Sequence, residues 1–196
     1  MKVYINGCSH TYGKDLLDPP KSRYSRLLCD ELGAEEYNFA ASGGSNRRIV
    51  RMLLDTNVKD YDLFIIQMTK RMRTECYDIK NKDKIDNPLV SGKSPWQRIR
   101  YPCTLTGNND FWEQYYRHIY DDHFGILDEK MYYTLIRSYL EDVPHVILWI
   151  GDYDFNLPVD LVYKKGSLPR EKGKHPNESA HEIICDDILR HLTIPK

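Results

Sequence analysis

A serine and a histidine near opposite ends of the chain are the residues best suited to covalent chemistry. Ser9 follows Gly7 at the end of a short apolar segment, where backbone N–H groups can gather beside an exposed hydroxyl. His175 precedes Pro176, which disfavours helical geometry at the histidine, and Asn177 can cap a helix beginning there. A serine hydroxyl attacks a carbonyl when an imidazole accepts its proton. The pair predicts a nucleophile and its base, although an isolated Gly-x-Ser tripeptide is more often an ordinary turn.

A glycine-rich segment at residues 42–46, Ser-Gly-Gly-Ser-Asn, supplies a second set of candidate groups. Gly43 and Gly44 let the backbone approach a ligand closely, and the start of a following helix presents free N–H groups to an oxyanion. Ser45 or Asn46 is placed to cap that helix. A strand-to-helix turn without a catalytic role explains the segment equally well. A phosphate-binding loop is not indicated, because neither glycine pattern typical of such loops is present.

Basic residues form a third group. Lys70, Arg71 and Arg73 follow an apolar segment, and they could bind a carboxylate or phosphate on a substrate. A solvated basic turn is the alternative. We assign His10 to substrate binding with Lys70 and Arg71, since a side chain next to the nucleophile in an extended turn usually points elsewhere and is then unsuited to be the base.

The histidines and cysteines predict neither a metal site nor another cofactor. Cys8, His10, His175 and His181 lack the spacing of metal ligands. The five cysteines are scattered, odd in number and never arranged as Cys-x-x-Cys, which argues against a disulfide framework and against a zinc ribbon.

Composition narrows the class of protein further. The 28 lysines and arginines are balanced by 29 aspartates and glutamates, so no global field favours a nucleic-acid or membrane partner. The first apolar segment is too short for a signal peptide, and no apolar run approaches the roughly 18 residues of a membrane span. We therefore expect a protein of a reducing compartment, the cytoplasm.

The elements that must position these residues alternate between strands and helices. Apolar runs predict strands at residues 2–6, 36–40, 62–68 and 143–150. Helical spacing predicts helices at residues 24–32, from residue 46 onward, and at residues 110–140 and 177–192. Such alternation implies one α/β domain over residues 1–196, with a mostly parallel sheet covered on both faces. Ligands bind beyond the carboxyl ends of such strands, where Ser9, Gly43 and Thr69 are expected.

Residues 73–109 interrupt this pattern. They are polar, contain proline and lysine, and carry single aromatic residues instead of a periodic apolar face. The segment is too long for a structureless connection inside a compact domain. It predicts an insertion or a lid over the site.

The motifs together resemble those of the SGNH (GDSL-type) hydrolases, a family of esterases, lipases and acyl or carbohydrate-ester hydrolases. Residues 7–11 are similar to the first block of the family, which implies that Ser9 is the nucleophile and that its N–H is an oxyanion donor. Residues 38–43 resemble the second block, which implies a second donor at Gly43. Residues 175–177 resemble the last block, which implies that His175 is the base. The resemblance implies a flavodoxin-like, three-layer α/β/α sandwich, and residues 43–49 are closest to small phage forms, which would place the protein in a host cytoplasm.

Two positions depart from the family pattern. The third block normally carries an asparagine; Thr69 takes its place here and, with Asn46, is assigned to the oxyanion hole. The last block normally has an aspartate three residues before the histidine, where this chain has Lys172. His175 is therefore expected to act in a dyad with Ser9, within about 3.5 Å, or to be oriented by another acceptor. The acceptors considered are a carbonyl of residues 170–174, Asp152 and Asp154.

The expected activity is hydrolysis of an ester or acyl group in a small molecule or glycan. An acyltransferase would use the same acyl-enzyme with an acceptor other than water. A non-enzymatic binding module on a degenerate scaffold is a further alternative, because two family residues are missing.

Overall fold

The structure is a computed structural model that describes residues 1–77, 96–100, 110–151, 155–164, 166–171 and 174–193. Seven strands occur within these ranges: β1 (Lys2–Asn6), β2 (Glu35–Asn38), β3 (Leu63–Met68), β4 (Arg73–Tyr77), β5 (Trp96–Arg100), β6 (His145–Gly151) and β7 (Leu161–Lys164). The α-helices in the same ranges are α1 (Ser9–Tyr12), α2 (Pro19–Ser22), α3 (Tyr24–Glu31), α4 (Asn46–Leu54), α5 (Asp110–His118), α6 (Asp122–Tyr139) and α7 (Glu178–Thr193), and a 3-10 turn lies at Val58–Asp60.

Five strands form the main sheet, in the order β2-β1-β3-β6-β7, and every neighbouring pair is parallel. Because side chains alternate across a strand, each central strand contributes to two cores. In β3, Ile65 belongs to one core with α3 and α7, whereas Ile66 belongs to the other with α4 and α6. The expected α/β/α sandwich with a mostly parallel sheet is confirmed.

The strongest apolar runs of the sequence are the central strands. The strands expected at residues 2–6, 62–68 and 143–150 are present within one or two residues, whereas β2 begins one residue before the expected 36–40 and is shorter. The helix expected over residues 110–140 is divided, because Asp121 caps a new helix by accepting a hydrogen bond from the Phe124 N–H at 2.6 Å. Strand β7 was not predicted; it is four residues long and lies at the edge of the sheet.

The two ends of the segment predicted to be an insertion or lid are paired with each other. Strands β4 and β5 form a separate antiparallel sheet, and residues 78–95 and 101–109 lie outside the described residues. Glu75 of β4 is buried and accepts from the Arg51 guanidinium of α4 at 2.7 Å, which fixes this strand to the main domain. A lid function stays a prediction. No helix within the described ranges combines the length and the hydropathy that a bilayer crossing requires.

Candidate active site

The turn after β1 places Ser9 at the carboxyl edge of the sheet. The chain leaves β1 through Gly7, and Ser9 opens the short helix α1. A Cβ on Gly7 would lie 2.4 Å from the Thr11 hydroxyl and 2.9 Å from Gln67, so this turn accommodates only glycine. Ser9 is buried, with 3% of its surface exposed, whereas the sequence suggested an exposed serine.

Gln67 of β3 holds the serine turn in place. Its Oε1 accepts from the Cys8 N–H at 3.1 Å and from the Thr11 hydroxyl at 2.8 Å. Since the Thr11 hydroxyl donates to Gln67, the Tyr24 hydroxyl, 2.8 Å away, donates to Thr11. The Ser9 hydroxyl lies 3.9 Å from the Cys8 sulfur, and Cys8 is buried beside the serine.

His175 reaches Ser9 from the loop before α7. Its Nε2 lies 2.9 Å from the Ser9 Oγ. The loop is closed by an isolated antiparallel bridge between Arg170 and Pro176, and Asn177 caps α7 by accepting from the Ala180 N–H at 3.2 Å. The imidazole is therefore held at a loop–helix junction, and its distance from Ser9 lies within the limit set for a working pair.

The carboxylate that faces His175 belongs to Asp15. Its Oδ2 lies 2.7 Å from the histidine Nδ1, and this hydrogen bond lowers the pKa of Asp15 below its ordinary value. Asp15 has a φ of 73° and is the only non-glycine residue with positive φ in the described part of the chain. Aspartate tolerates this left-handed conformation better than most residues, and such outliers concentrate at functional sites.

Asp15 was missed in the sequence. The acceptors considered there were Asp152 and Asp154, which lie outside the described residues, and a carbonyl of residues 170–174. Within the described chain, Nδ1 of His175 is bonded to Asp15 and not to one of those carbonyls. The sequence did contain one signal for Asp15: this aspartate follows Ser9 by only six positions and comes shortly after Gly13. In the structure Gly13 has a φ of 80°, so the chain turns there.

The backbone N–H groups of Ser9 and Gly43 have no hydrogen-bond partner in the described chain. Gly43 adopts a φ of 75°, which glycine allows without strain. A Cβ on the neighbouring Gly44 would lie 2.8 Å from the Gly7 carbonyl oxygen and 3.6 Å from the Cys8 Cα. The glycine loop therefore packs directly against the serine turn.

Asn46 and Thr69, both assigned to the oxyanion hole from sequence, bind each other. The Asn46 amide donates to the Thr69 carbonyl at 3.0 Å, and its oxygen accepts from the Thr69 N–H at 2.8 Å. The Thr69 hydroxyl accepts from Nη1 of Arg73 at 2.8 Å. These contacts fix the end of β3 to the start of α4. A direct role of either residue in binding an oxyanion stays a prediction.

The pKa values of His10 and His181 are both lowered; His181 is fully buried, and His10 is half-buried. Burial, followed by the charges of His175 and Arg73, lowers the pKa of His10 to about 3. The His10 ring lies 5.1 Å from the His175 ring, and with its lowered pKa it stays neutral beside Ser9 and His175 at neutral pH. His181 is structural: its Nδ1 accepts from the Tyr24 N–H at 3.0 Å. No group of three or more potential metal ligands occurs among the described residues.

The basic residues after β3 occupy different surroundings. Arg71 packs against Gly125 of α6 and lines a cavity of about 200 Å³ together with Ile126, Glu129, Lys130, Asn156 and Leu157. The Lys70 carbonyl accepts from the Arg73 N–H at 3.1 Å, which closes a turn. Substrate binding by Lys70, Arg71 and His10 stays a prediction.

Comparison with known proteins shows a relationship in fold. No family model matches the sequence, and no curated protein is detectably similar to it. Solved structures do match over nearly the full length: TesA has a TM-score of 0.56 at 10% identity, covering 98% of each chain. The psychrotrophic esterase EstA from Pseudoalteromonas sp. has a TM-score of 0.53 at 11% identity, covering 97% of this chain and 96% of EstA.

A third structure links the fold to a named family. A putative lipolytic protein of the G-D-S-L family from Desulfitobacterium hafniense DCB-2 has a TM-score of 0.51 at 10% identity, covering 97% of this chain and 98% of its own. The parallel sheet, its two helical layers and the order of the site segments along the chain agree with the resemblance seen in sequence. The chain has the fold of the SGNH (GDSL-type) hydrolases.

Proposed function

We propose that this protein is a serine hydrolase that cleaves an ester or acyl group. Ser9 is the nucleophile, His175 is the general base and Asp15 orients the histidine. The observation that carries the proposal is the continuous contact from the Ser9 Oγ to Nε2 of His175, at 2.9 Å, and from Nδ1 to Asp15, at 2.7 Å. Nucleophile, base and orienting carboxylate in this order form the arrangement that activates a serine.

The hydrogen bonds determine which atoms carry the protons before the reaction. Ionised Asp15 accepts a hydrogen bond from the Nδ1–H of His175, so the Nε2 atom presents its lone pair to the Ser9 hydroxyl. As the Ser9 oxygen bonds to the ester carbonyl carbon, His175 takes the hydroxyl proton, and the carboxylate stabilises the resulting imidazolium. His175 then gives this proton to the departing alcohol. Water attacks the acyl-enzyme by the same steps in reverse order, which releases the acid and restores Ser9.

The backbone supplies the place for the negative charge. We assign the N–H groups of Ser9 and Gly43 as oxyanion donors, because neither has another partner in the described chain. Gln67 and the contact between the Gly44 and Gly7 backbones hold these donors in position. Donors fixed before the reaction stabilise developing charge without reorganisation.

The alternatives differ in how well the contacts support them. A binding module on a degenerate scaffold was suggested by the missing aspartate, and a carboxylate at 2.7 Å from His175 supports a working base instead. The similar structures include an esterase and a lipolytic protein, in agreement with ester hydrolysis. An acyltransferase would share every step up to the acyl-enzyme, and product analysis with an added alcohol acceptor separates it from a hydrolase.

Covalent labelling tests the proposal. EstA was solved inhibited by monoethylphosphonate. We expect a fluorophosphonate to label this protein on Ser9, as mapped by mass spectrometry, and hydrolysis of short-chain aryl esters to stop in labelled protein. Ser9→Ala should abolish both, whereas Ser167→Ala, at an exposed serine of the β7–α7 connection, should keep both. Failure of a small and a large probe to label Ser9 would contradict the proposal.

A further inference from the structure

Two half-buried arginines near the Ser9–His175 pair have no carboxylate partner in the described chain, Arg73 and Arg170. Other half-buried arginines of the fold are paired at close range, Arg23 with Glu36 at 2.7 Å and Arg137 with Asp160 at 3.0 Å. A guanidinium that loses part of its hydration normally gains an acidic or hydrogen-bonding partner in return. The positive charges of Arg73 and Arg170 therefore have no carboxylate of the described chain to neutralise them.

Arg73 is fixed on the β3 side of the site. Its Nη1 donates to the Thr69 hydroxyl at 2.8 Å, and Asn46 in turn holds both sides of the Thr69 backbone. The Tyr116 hydroxyl donates to the Met72 carbonyl at 2.6 Å, which restrains the turn immediately before Arg73. Within the described chain, the other N–H groups of this guanidinium have no hydrogen-bond partner.

Arg170 is fixed on the histidine side. It forms the antiparallel bridge with Pro176, the residue after His175, and the Pro169 carbonyl accepts from the Asn177 N–H at 3.1 Å. The charges of Arg73 and Arg170 both contribute to the low pKa of His10, after burial and the charge of His175. Both guanidinium groups therefore act on the residue that adjoins the nucleophile.

We propose that Arg73 and Arg170 form a subsite for an anionic group of the substrate, so that the preferred esters carry a carboxylate or a phosphate near the scissile bond. The inference rests on the proposed ester hydrolysis. Arginine presents planar pairs of donors that match both anions, and a charged partner strengthens each hydrogen bond. The sequence offered Lys70, Arg71 and Arg73 for such binding; the contacts favour Arg73, with Arg170 joining it from a remote segment.

Matched esters that differ only in charge test the subsite. On the alcohol side, 4-acetoxybenzoate is compared with 4-acetoxybenzamide. On the acyl side, monoethyl glutarate is compared with the ethyl ester of glutaramic acid, and 4-acetoxyphenyl phosphate serves as the phosphate arm. We expect kcat/KM to favour an anion over its neutral counterpart by about tenfold, as for a charge-assisted hydrogen bond. The pair with the larger ratio identifies the side of the ester, and the phosphate arm identifies the anion.

Variants then assign the preference to the two arginines. Arg73→Gln and Arg170→Gln should each lower the ratio of anionic to neutral kcat/KM toward one. Arg190→Gln, which removes the same charge from an exposed position on α7, should keep the wild-type ratio. A ratio unchanged in both subsite variants would overturn the assignment.

A measurement on the wild-type protein tests the subsite even if the variants do not fold or the esters are not hydrolysed. Benzoate or inorganic phosphate should slow fluorophosphonate labelling of Ser9 more than benzamide or sodium chloride at equal concentration. Equal labelling rates and equal kcat/KM values for every pair would refute the anionic subsite and leave the esterase proposal intact. Absence of both labelling and turnover would refute the proposed function itself.

Discussion

At the scale of single residues, the main feature of the site is that Ser9 and Asp15 belong to one short segment of the chain. The Lys14 N–H donates to the Ser9 carbonyl at 2.9 Å, closing α1, and Asp15 follows directly in a left-handed conformation. The proposed nucleophile and the proposed orienting carboxylate are thus positioned by the same turn. Only His175 is brought from a distant part of the chain, and a shift of its loop changes both of its hydrogen bonds together.

We predict that Asp15→Asn lowers kcat by about 100- to 10,000-fold with the fold intact, because an amide stabilises imidazolium poorly and allows the wrong tautomer. Steady-state kinetics with an aryl ester and circular dichroism measure the two effects. Asp18→Asn, which removes a nearby carboxylate paired only with exposed Lys21, is the matched control. Activity of Asp15→Asn within a few-fold of wild type would show that the histidine is oriented by another group.

At the scale of elements, polar contacts between segments hold the site together. Gln67 ties β3 to the serine turn, Asn46 ties α4 to the end of β3, and Glu75 ties β4 to α4. These side chains are buried, so loss of one leaves its partner unsatisfied at a cost of about 1–3 kcal/mol. His181 does the same for α7 and α3, through the Tyr24 N–H.

The His181 contact predicts a loss of stability in acid. Burial lowers the pKa of His181 from 6.5 to about 4. The unfolded chain takes up a proton near pH 6.5 while the folded protein stays neutral down to about pH 4, so the free energy of unfolding falls as the pH is lowered through this window. One imidazole contributes up to about 1.4 kcal/mol per pH unit there. His10 adds to the same trend, since its pKa is lowered to about 3.

Urea unfolding at pH 7, 6 and 5 measures this trend. His181→Gln removes one titrating group, so its unfolding free energy should depend less steeply on pH than that of the wild type, whatever its stability at pH 7. His118→Gln, at an exposed position near the end of α5, should keep the wild-type dependence. Equal slopes for wild type and His181→Gln would contradict the buried, neutral histidine.

At the scale of the whole molecule, the sheet separates two apolar cores. Neighbouring residues of β3 enter opposite cores, Ile65 with α3 and α7 and Ile66 with α4 and α6. The two loops of the site precede helices that pack in different cores. The His175 loop leads into α7, and the glycine loop leads into α4. Packing on both faces is therefore needed to bring the loops to one edge.

We predict that Ile65→Ala and Ile66→Ala each lower the free energy of unfolding by about 2–5 kcal/mol, because both side chains are fully buried and leave cavities. Denaturant unfolding measures both values. Leu54→Ala, at a side chain that is 50% exposed, should cost far less. If one of the isoleucine variants behaved like Leu54→Ala, the corresponding face of β3 would not be covered by helices.

The sequence alone determined the sheet, and it singled out Ser9 and His175 as the proposed nucleophile and base. Strands β3 and β6 are continuous apolar runs, which few arrangements other than a covered parallel sheet can bury, and β1 is a shorter buried strand. Ser9, Gly43 and His175 were found because each follows or precedes a strongly patterned element. Ser45 was one of two candidates for the helix cap, and its hydroxyl accepts the Arg48 N–H at 3.2 Å.

Only the tertiary structure decided which groups complete the site. Asp15 lies in a turn without periodicity, and its reach to His175 depends on a left-handed φ and on a contact 160 positions away in sequence. In the sequence, Gln67 is one polar residue within an apolar strand. Its role in holding the serine turn depends on which turn lies beside the strand, and only the structure shows this. The contact of Arg73 with the Thr69 hydroxyl and the bridge of Arg170 with Pro176 are not predicted by any local pattern. The periodic pattern of buried residues can be recognised in the sequence. Contacts between single polar side chains of remote segments depend instead on how the packed helices and strands position their loops.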